Sequence, residues 1–233
     1  MGAQWKQKGK VESAAAKSKA FNKVTKELVI AARNGADPSM NPRLRMAIDA
    51  AKKVSMPRDN MERAIKRGAG LLDEPANFET VVYEGFAPHR VPVIVECLTD
   101  NKNRTATTVR ILFRKGQLGN TGSVSWDFRH LGLIQATPEA GAADAEDAAI
   151  EAGAQEVESG DEGATLFLTE PGDLDSVSRA LAAQKWHVSS AVLGWKAKNP
   201  VKVEDEAARA EVEAFLHALD EDDDVQTLYV GME

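Results

Sequence analysis

The sequence predicts an α+β protein that opens on a small basic helical bundle and continues as mixed helices and hairpin-linked strands. Three observations carry that expectation. Residues 1–70 hold 16 Lys and Arg against 6 Asp and Glu, while residues 71–233 hold 13 against 30, a reversal that the net charge of −7 hides. Apolar residues in the first segment recur at spacings of three and four, the period of a helix face. Beyond residue 79, Val- and Ile-rich runs of strand length alternate irregularly with helical stretches, which favours α+β over a strictly alternating parallel sheet.

Residues 1–17 are Lys-rich without apolar periodicity and read as a basic arm. Phe21, Val24, Leu28 and Ala31 form one stripe of a helix over about 18–34, and Asn34-Gly35 supplies a stop. Asn41-Pro42 reads as an N-cap with a first-turn proline, opening a helix that turns Leu44, Ala47, Ile48, Ala51 and Val54 inward. Ser55-Met56-Pro57 repeats the device before Met61, Ala64, Ile65 and Gly68. No single helix can bury its stripe alone, so a three-helix bundle is expected. Residues 69–79 read as a linker.

Strands are expected at Thr80–Phe86 and Val91–Leu98, about a turn at Pro88-His89-Arg90. A helix over Asn101–Lys115 follows, then a glycine-punctuated loop from Gly116 to Gly122. Ser123–Phe128 and Leu131–Ala136 read as a hairpin, and 138–152 as an Ala-rich helix. Strands near 154–158 and 164–169 precede a helix capped by Asp173. A strand over 187–197, a helix over 204–219 and a strand at Val225–Val230 complete the order.

Hydrophobic content of 43% suffices for a real core, and length allows one to two domains. Cys97 is the only cysteine, so no intramolecular disulfide forms, as in a reducing cytosol. The stretch after Met1 has no apolar signal segment, and no run approaches the roughly 18 apolar residues of a membrane span. A soluble cytoplasmic protein without a membrane partner is expected. Aromatics at 6% are too sparse for stacking platforms to dominate a nucleic-acid contact.

Phosphate binding needs positive charges gathered on one surface, because their contact releases counterions. The candidates are Lys6, Lys8, Lys10, Lys17, Lys19, Lys23 and Lys26 on the arm and first helix. Arg43, Arg45, Lys52, Lys53, Arg58, Arg63, Lys66 and Arg67 follow on the next two helices. The bland alternative is a solvated helix face, but few local acids compensate here. Lys102 and Arg104 sit where a strand meets a helix start; capping by the neighbouring Asp and Asn explains that run, with phosphate contact as an addition. No helix carries the Asn, Gln and Arg set of a major-groove reader, so backbone and shape should dominate contact, which does not choose DNA over RNA.

Gly116 to Ser123 could cradle a phosphate but lacks the Gly-Lys-Ser/Thr ending of a P-loop, and turn glycines explain it better. Glu204-Asp205-Glu206 and Glu221-Asp222-Asp223-Asp224 could hold a divalent cation; solvated acids that repel nucleic acid from the body are the simpler reading. His89, His130, His187 and His217 lack ligand or triad spacing, and no cofactor or metal is implied. Cys97 reads as a buried small hydrophobe. Trp5 could stack on a base or pack, and Trp126, Trp186 and Trp195 read as core or half-buried strand residues.

Several segments together resemble the YebC/PmpR family of transcriptional regulatory proteins and translational activators of cytochrome oxidase. They are Asn41-Pro42-Arg43-Leu44-Arg45, Tyr83-Glu84-Gly85-Phe86, Glu96-Cys97-Leu98-Thr99-Asp100-Asn101-Lys102-Asn103-Arg104-Thr105, Gly122-Ser123-Val124 and Asp224-Val225-Gln226, spread over nearly the whole chain. The resemblance implies three domains: a helical one over 1–79, a middle α+β domain over 80–135 plus 204–233, and an α+β domain over 136–203 inserted into it. It implies no catalytic reaction. Its members act as DNA-binding transcriptional regulators or as translation factors on the ribosome. The expected function is therefore a non-enzymatic DNA-binding regulator of transcription. The alternative is a ribosome-associated factor binding ribosomal RNA, and a weaker one is a metal-dependent hydrolase using the acidic runs.

Overall fold

The computed structural model describes residues 14–72, 77–160 and 163–233. In chain order these form α1 (Ala14–Ala32), α2 (Pro42–Lys53), α3 (Arg58–Gly68), β1 (Glu79–Phe86), β2 (Pro92–Thr99), α4 (Lys102–Leu112), β3 (Gln117–Leu118) and β4 (Phe128–Pro138). Then follow α5 (Ala145–Ala152), β5 (Glu156–Ser159), β6 (Thr165–Thr169), α6 (Leu174–Ala183), β7 (Trp186–Ala197), α7 (Glu206–Asp220) and β8 (Val225–Val230).

The first three helices close on one core of Leu28, Val29, Ala31, Ala32, Leu44, Ala47, Ala51, Met56 and Ala64. Each large aliphatic buried there contributes about 1.5–3 kcal/mol. Asn41 ties two helices at once. Its Oδ1 accepts from the Leu44 amide at 3.0 Å, capping α2, while its Nδ2 donates to the Ala31 and Gly35 carbonyls at 2.7 and 2.8 Å. The Ser55-Met56-Pro57 device differs from expectation: Pro57 itself is the cap residue and no side chain caps α3. Ser55 instead reverses the chain at φ 58°. Helices α1 and α3 cross closely because Gly68 has no side chain; a Cβ there would lie 2.1 Å from the Val29 carbonyl oxygen. Gly68→Ala is expected to cost about 2–3 kcal/mol by prising the crossing apart, read as a lower urea midpoint.

The remaining chain builds two four-stranded antiparallel sheets, ordered β3-β1-β2-β8 and β5-β6-β4-β7. In the first, β1 and β2 pair from Glu79 opposite Thr99 to Phe86 opposite Pro92. Strand alternation turns Val93, Val95 and Cys97 toward α4 and α7, where Phe113 meets Phe215 edge-on at 5.2 Å. Ile94 faces the other way and packs with Tyr229, Phe128 and Trp195, joining the two sheets. In the second sheet α5 and α6 cover Ile134, Ala136, Phe167 and Trp186.

Three local readings are corrected. Ser123–Phe128 and Leu131–Ala136 are not a hairpin. Ser125–Asp127 is a 3-10 turn, and β4 runs unbroken from Phe128 between β6 and β7. Trp126 is accordingly 67% exposed rather than packed in a strand. The helix expected from 138 begins at Ala145, where Asp144 accepts from the Glu146 amide. Asp173 occupies the cap position of α6 without a side-chain bond.

Candidate nucleic-acid interface

The sequence-selected cations of the first 70 residues fall into three groups. Lys6, Lys8 and Lys10, with Trp5, lie outside the described residues, as does the side chain of Lys17.

The second group faces inward. Lys19, Lys23 and Lys26 share one face of α1, at spacings of four and three. That face lies on the acidic turn between α7 and β8. Lys23 donates to Asp220 Oδ1 at 2.9 Å, and Lys19 lies 3.6 Å from both Asp220 and Glu221. Lys26 donates to Asp224 Oδ1 at 2.9 Å and to the carbonyls of Asp223 and Leu98 at 2.7 and 3.0 Å. Gln226 returns a bond from its Nε2 to the Lys23 carbonyl at 3.1 Å. These lysine side chains keep only 13–18% of their exposure. Their charge docks the helical unit onto the first sheet, and the acids expected to be solvated are their partners.

Asp224 is the centre of this joint. Besides Lys26, it accepts from Arg104 at 2.9 Å and from Thr105 Oγ1 at 2.8 Å, with Thr99 Oγ1 at 3.3 Å. Burial alone would raise its carboxyl, but the bonds from Arg104, Lys26 and Thr105 outweigh that and hold it below the ordinary aspartate range. Asn101 caps α4 by accepting from the Arg104 amide at 3.1 Å. Lys102 pairs with Glu79 at 2.5 Å. The Thr99–Thr105 run is thus accounted for by a cap, a joint and a surface ion pair.

The third group lies on α2 and α3 and faces solvent. Arg43 pairs with Glu27, Lys52 with Asp49, and Arg58 with Glu62, at 2.8–3.0 Å between exposed or half-exposed partners, pairs worth little in water. Arg45, Lys53, Arg63 and Lys66 are exposed and have no carboxylate partner among the described residues. Arg67 is half-buried with its guanidinium over the Phe78 ring, 5.9 Å from the centroid.

The glycine loop cradles an anion, and the anion is internal. Glu84 is buried, and its carboxylate accepts from the amides of Gly122, Val124 and Ser125, each at 2.9 Å. Desolvation pushes its carboxyl up, yet these donors prevail and depress it below the ordinary range. Gly119 sits too close to Ser123 for any Cβ, at 2.1 Å from its Oγ. The amides of Gly122, Val124 and Ser125 are therefore not available to a phosphate. Cys97 is buried, and burial first, then the nearby Asp222 and Asp224, push its thiol up to about 12, so it stays protonated. No helix among the described residues is long and apolar enough to cross a membrane.

Family models match almost end to end: the TACO1/YebC protein N-terminal domain over residues 1–71, and the TACO1/YebC second and third domain over 78–232. A protein of Pseudomonas syringae pv. tomato, named a probable transcriptional regulatory protein, is 62% identical over 232 residues, covering 100% of this chain and 99% of its own. Proteins of the same name are 59% identical in a Polaromonas species, over 100% of this chain and 99% of theirs, and 50% identical in Bdellovibrio bacteriovorus, over 98% and 99%. The crystal structure of a conserved hypothetical protein from Aquifex aeolicus superposes with a TM-score of 0.84 at 41% identity, covering 99% of this chain and 96% of that one.

Proposed function

The chain belongs to the TACO1/YebC family, and from that membership we propose that it is a non-enzymatic regulator of gene expression. It binds nucleic acid through the outward face of α2 and α3. The observation that carries this reading is the sorting of the cations. Those on α1 are neutralised by the body, whereas Arg45, Lys53, Arg63 and Lys66 are exposed without carboxylate partners among the described residues. Charge left unpaired on one small unit of an otherwise acidic protein is the footprint of a phosphate binder. The names of its relatives favour transcription and DNA. The three-domain division, at 1–79, 80–135 with 204–233, and 136–203, belongs to the proposal; strand pairing extends the second sheet back to Phe128.

A second reading is ribosomal RNA on the ribosome. It is favoured by an exposed surface of Lys and Arg suited to backbone phosphates, on which recognition of RNA by shape relies. Duplex-DNA binding and co-sedimentation with ribosomes, each followed across a salt series, separate the two. DNA binding that survives physiological salt while ribosome binding is lost supports the transcriptional reading; the reverse supports the ribosome; loss of both sinks the proposal.

The sorting also predicts which mutations matter. Arg45→Glu with Lys53→Glu should weaken nucleic-acid binding at least tenfold while leaving the melting temperature within about 2 °C. Lys23→Glu should instead lower stability, because it puts a third acid against Asp220 and Glu221. Binding titrations and thermal melts on both variants check this.

A further inference from the structure

Between α1 and α3 runs a groove lined by Thr25, Val29, Asn60, Arg63, Ala64 and Arg67. Its floor is apolar, since Val29 and Ala64 are 1% and 4% exposed. Its rim is cationic. Arg63 and Arg67 are one helical turn apart and so project along the same face of α3. Asn60 lies one turn before Arg63 and adds an amide. The Thr25 hydroxyl donates to the Phe21 carbonyl at 2.7 Å, so it brings no proton to the groove. The donors left are the two guanidinium groups and the Asn60 amide. Arg67 is held in place by Phe78, and its Nε is buried without a hydrogen-bond partner among the described residues. The acids nearest in sequence do not neutralise the rim: Glu62 is engaged by Arg58, and Asp59 makes no ion pair among the described residues.

Resting on the nucleic-acid reading above, we propose that this groove seats one backbone phosphate of the bound strand, clamped by Arg63 and Arg67 with Asn60 completing the donor set. Two guanidinium forks over an apolar floor, that of Arg67 preset by Phe78, match the tetrahedral oxygens of a phosphodiester. They hold it by charge-assisted bonds, stronger there than in open water. The rest of the α2–α3 surface supplies diffuse attraction. The seat adds a fixed register for the strand on the protein.

The test uses the full chain. Arginines of the wild-type protein are modified with phenylglyoxal in the presence of a mixed-sequence duplex, of the same duplex with an uncharged methylphosphonate backbone, or of inorganic phosphate. Protection of Arg63 and Arg67 by the phosphodiester duplex alone is the expected result. Full protection by inorganic phosphate, with nothing added by the duplex, would make this a free-phosphate site and overturn the proposal. Modification of both arginines in a protein that still binds the duplex would overturn the seat but leave the functional reading standing. A wild-type protein that binds neither duplex nor ribosomes removes both.

A charge-conserving pair, Arg63→Lys with Arg67→Lys, gives an independent readout. It keeps the attraction and the apolar stems but loses the forks, so binding should weaken about tenfold while the salt slope stays near wild type. Unchanged affinity would reduce the groove to diffuse charge. Arg179→Gln with Lys198→Gln, on the second sheet's unit, should leave binding within twofold.

Discussion

Asp224→Ala is expected to destabilise the protein by about 3–5 kcal/mol, the usual cost of removing one member of a buried charge cluster. The change strands Lys26, and it takes away the acceptor shared by Thr105 and Arg104. Because Asp224 joins α1 to the ends of β2 and α4, the damage is directional. The helical unit should loosen from the first sheet before either unfolds. Urea denaturation should split into two transitions, and hydrogen exchange in α1 should accelerate. A single transition at the wild-type midpoint would show that the joint contributes nothing. The pH dependence has a definite sign. The Asp224 carboxyl is depressed in the folded state, so its contribution is fully present above the unfolded aspartate pKa of about 3.9 and is lost as pH falls through the lower folded value. Asp224→Asn should remove that part of the acid transition.

Glu84→Ala is expected to cost about 3 kcal/mol by a different route. It leaves three amides aimed at nothing, one of them, on Val124, fully buried. The loss is local at first. The turn carrying Trp126 should lose its fixed geometry, and the amide resonances of Gly122, Val124 and Ser125 should move upfield as their hydrogen bonds vanish. Glu84→Gln keeps the shape but presents an amide to donors and should recover less than half of the stability. As with Asp224, the depressed carboxyl means that stability drains away only in acid. If the alanine variant melts with the wild type, the carboxylate is not what holds the loop.

The two residues show what could be read before the fold was known. Signals that act within a few residues were legible. Asn41-Pro42 and Asn101 announce α2 and α4 because a cap bonds three positions downstream, and Val225–Val230 is a strand with the bounds its composition suggested. Signals that act across the chain were not. Ser123–Phe128 has strand-like composition, but amides at and beside it serve a carboxylate about 40 residues upstream and curl the segment into a turn. Lys19, Lys23 and Lys26 read as free phosphate ligands because their partners lie about 200 residues away. One clue was available. Three lysines on a single helix face, in a chain that also carries a compact acidic run, are a matched pair of surfaces. Asn60 went unnoticed because an isolated asparagine on a short helix has no distinguishing local pattern.

The distance between those matched surfaces also imposes an order of events. Synthesis runs from the amino end, so α1 is made long before Asp220 and Asp224 exist. The helical bundle closes through local contacts and can form at once, whereas the first sheet waits for β8. During that interval Lys19, Lys23 and Lys26 lack Asp220, Glu221 and Asp224. The emerging chain is therefore most cationic early, while still attached to the ribosome, and this face of α1 is covered only when its own acidic segment arrives to claim the helix.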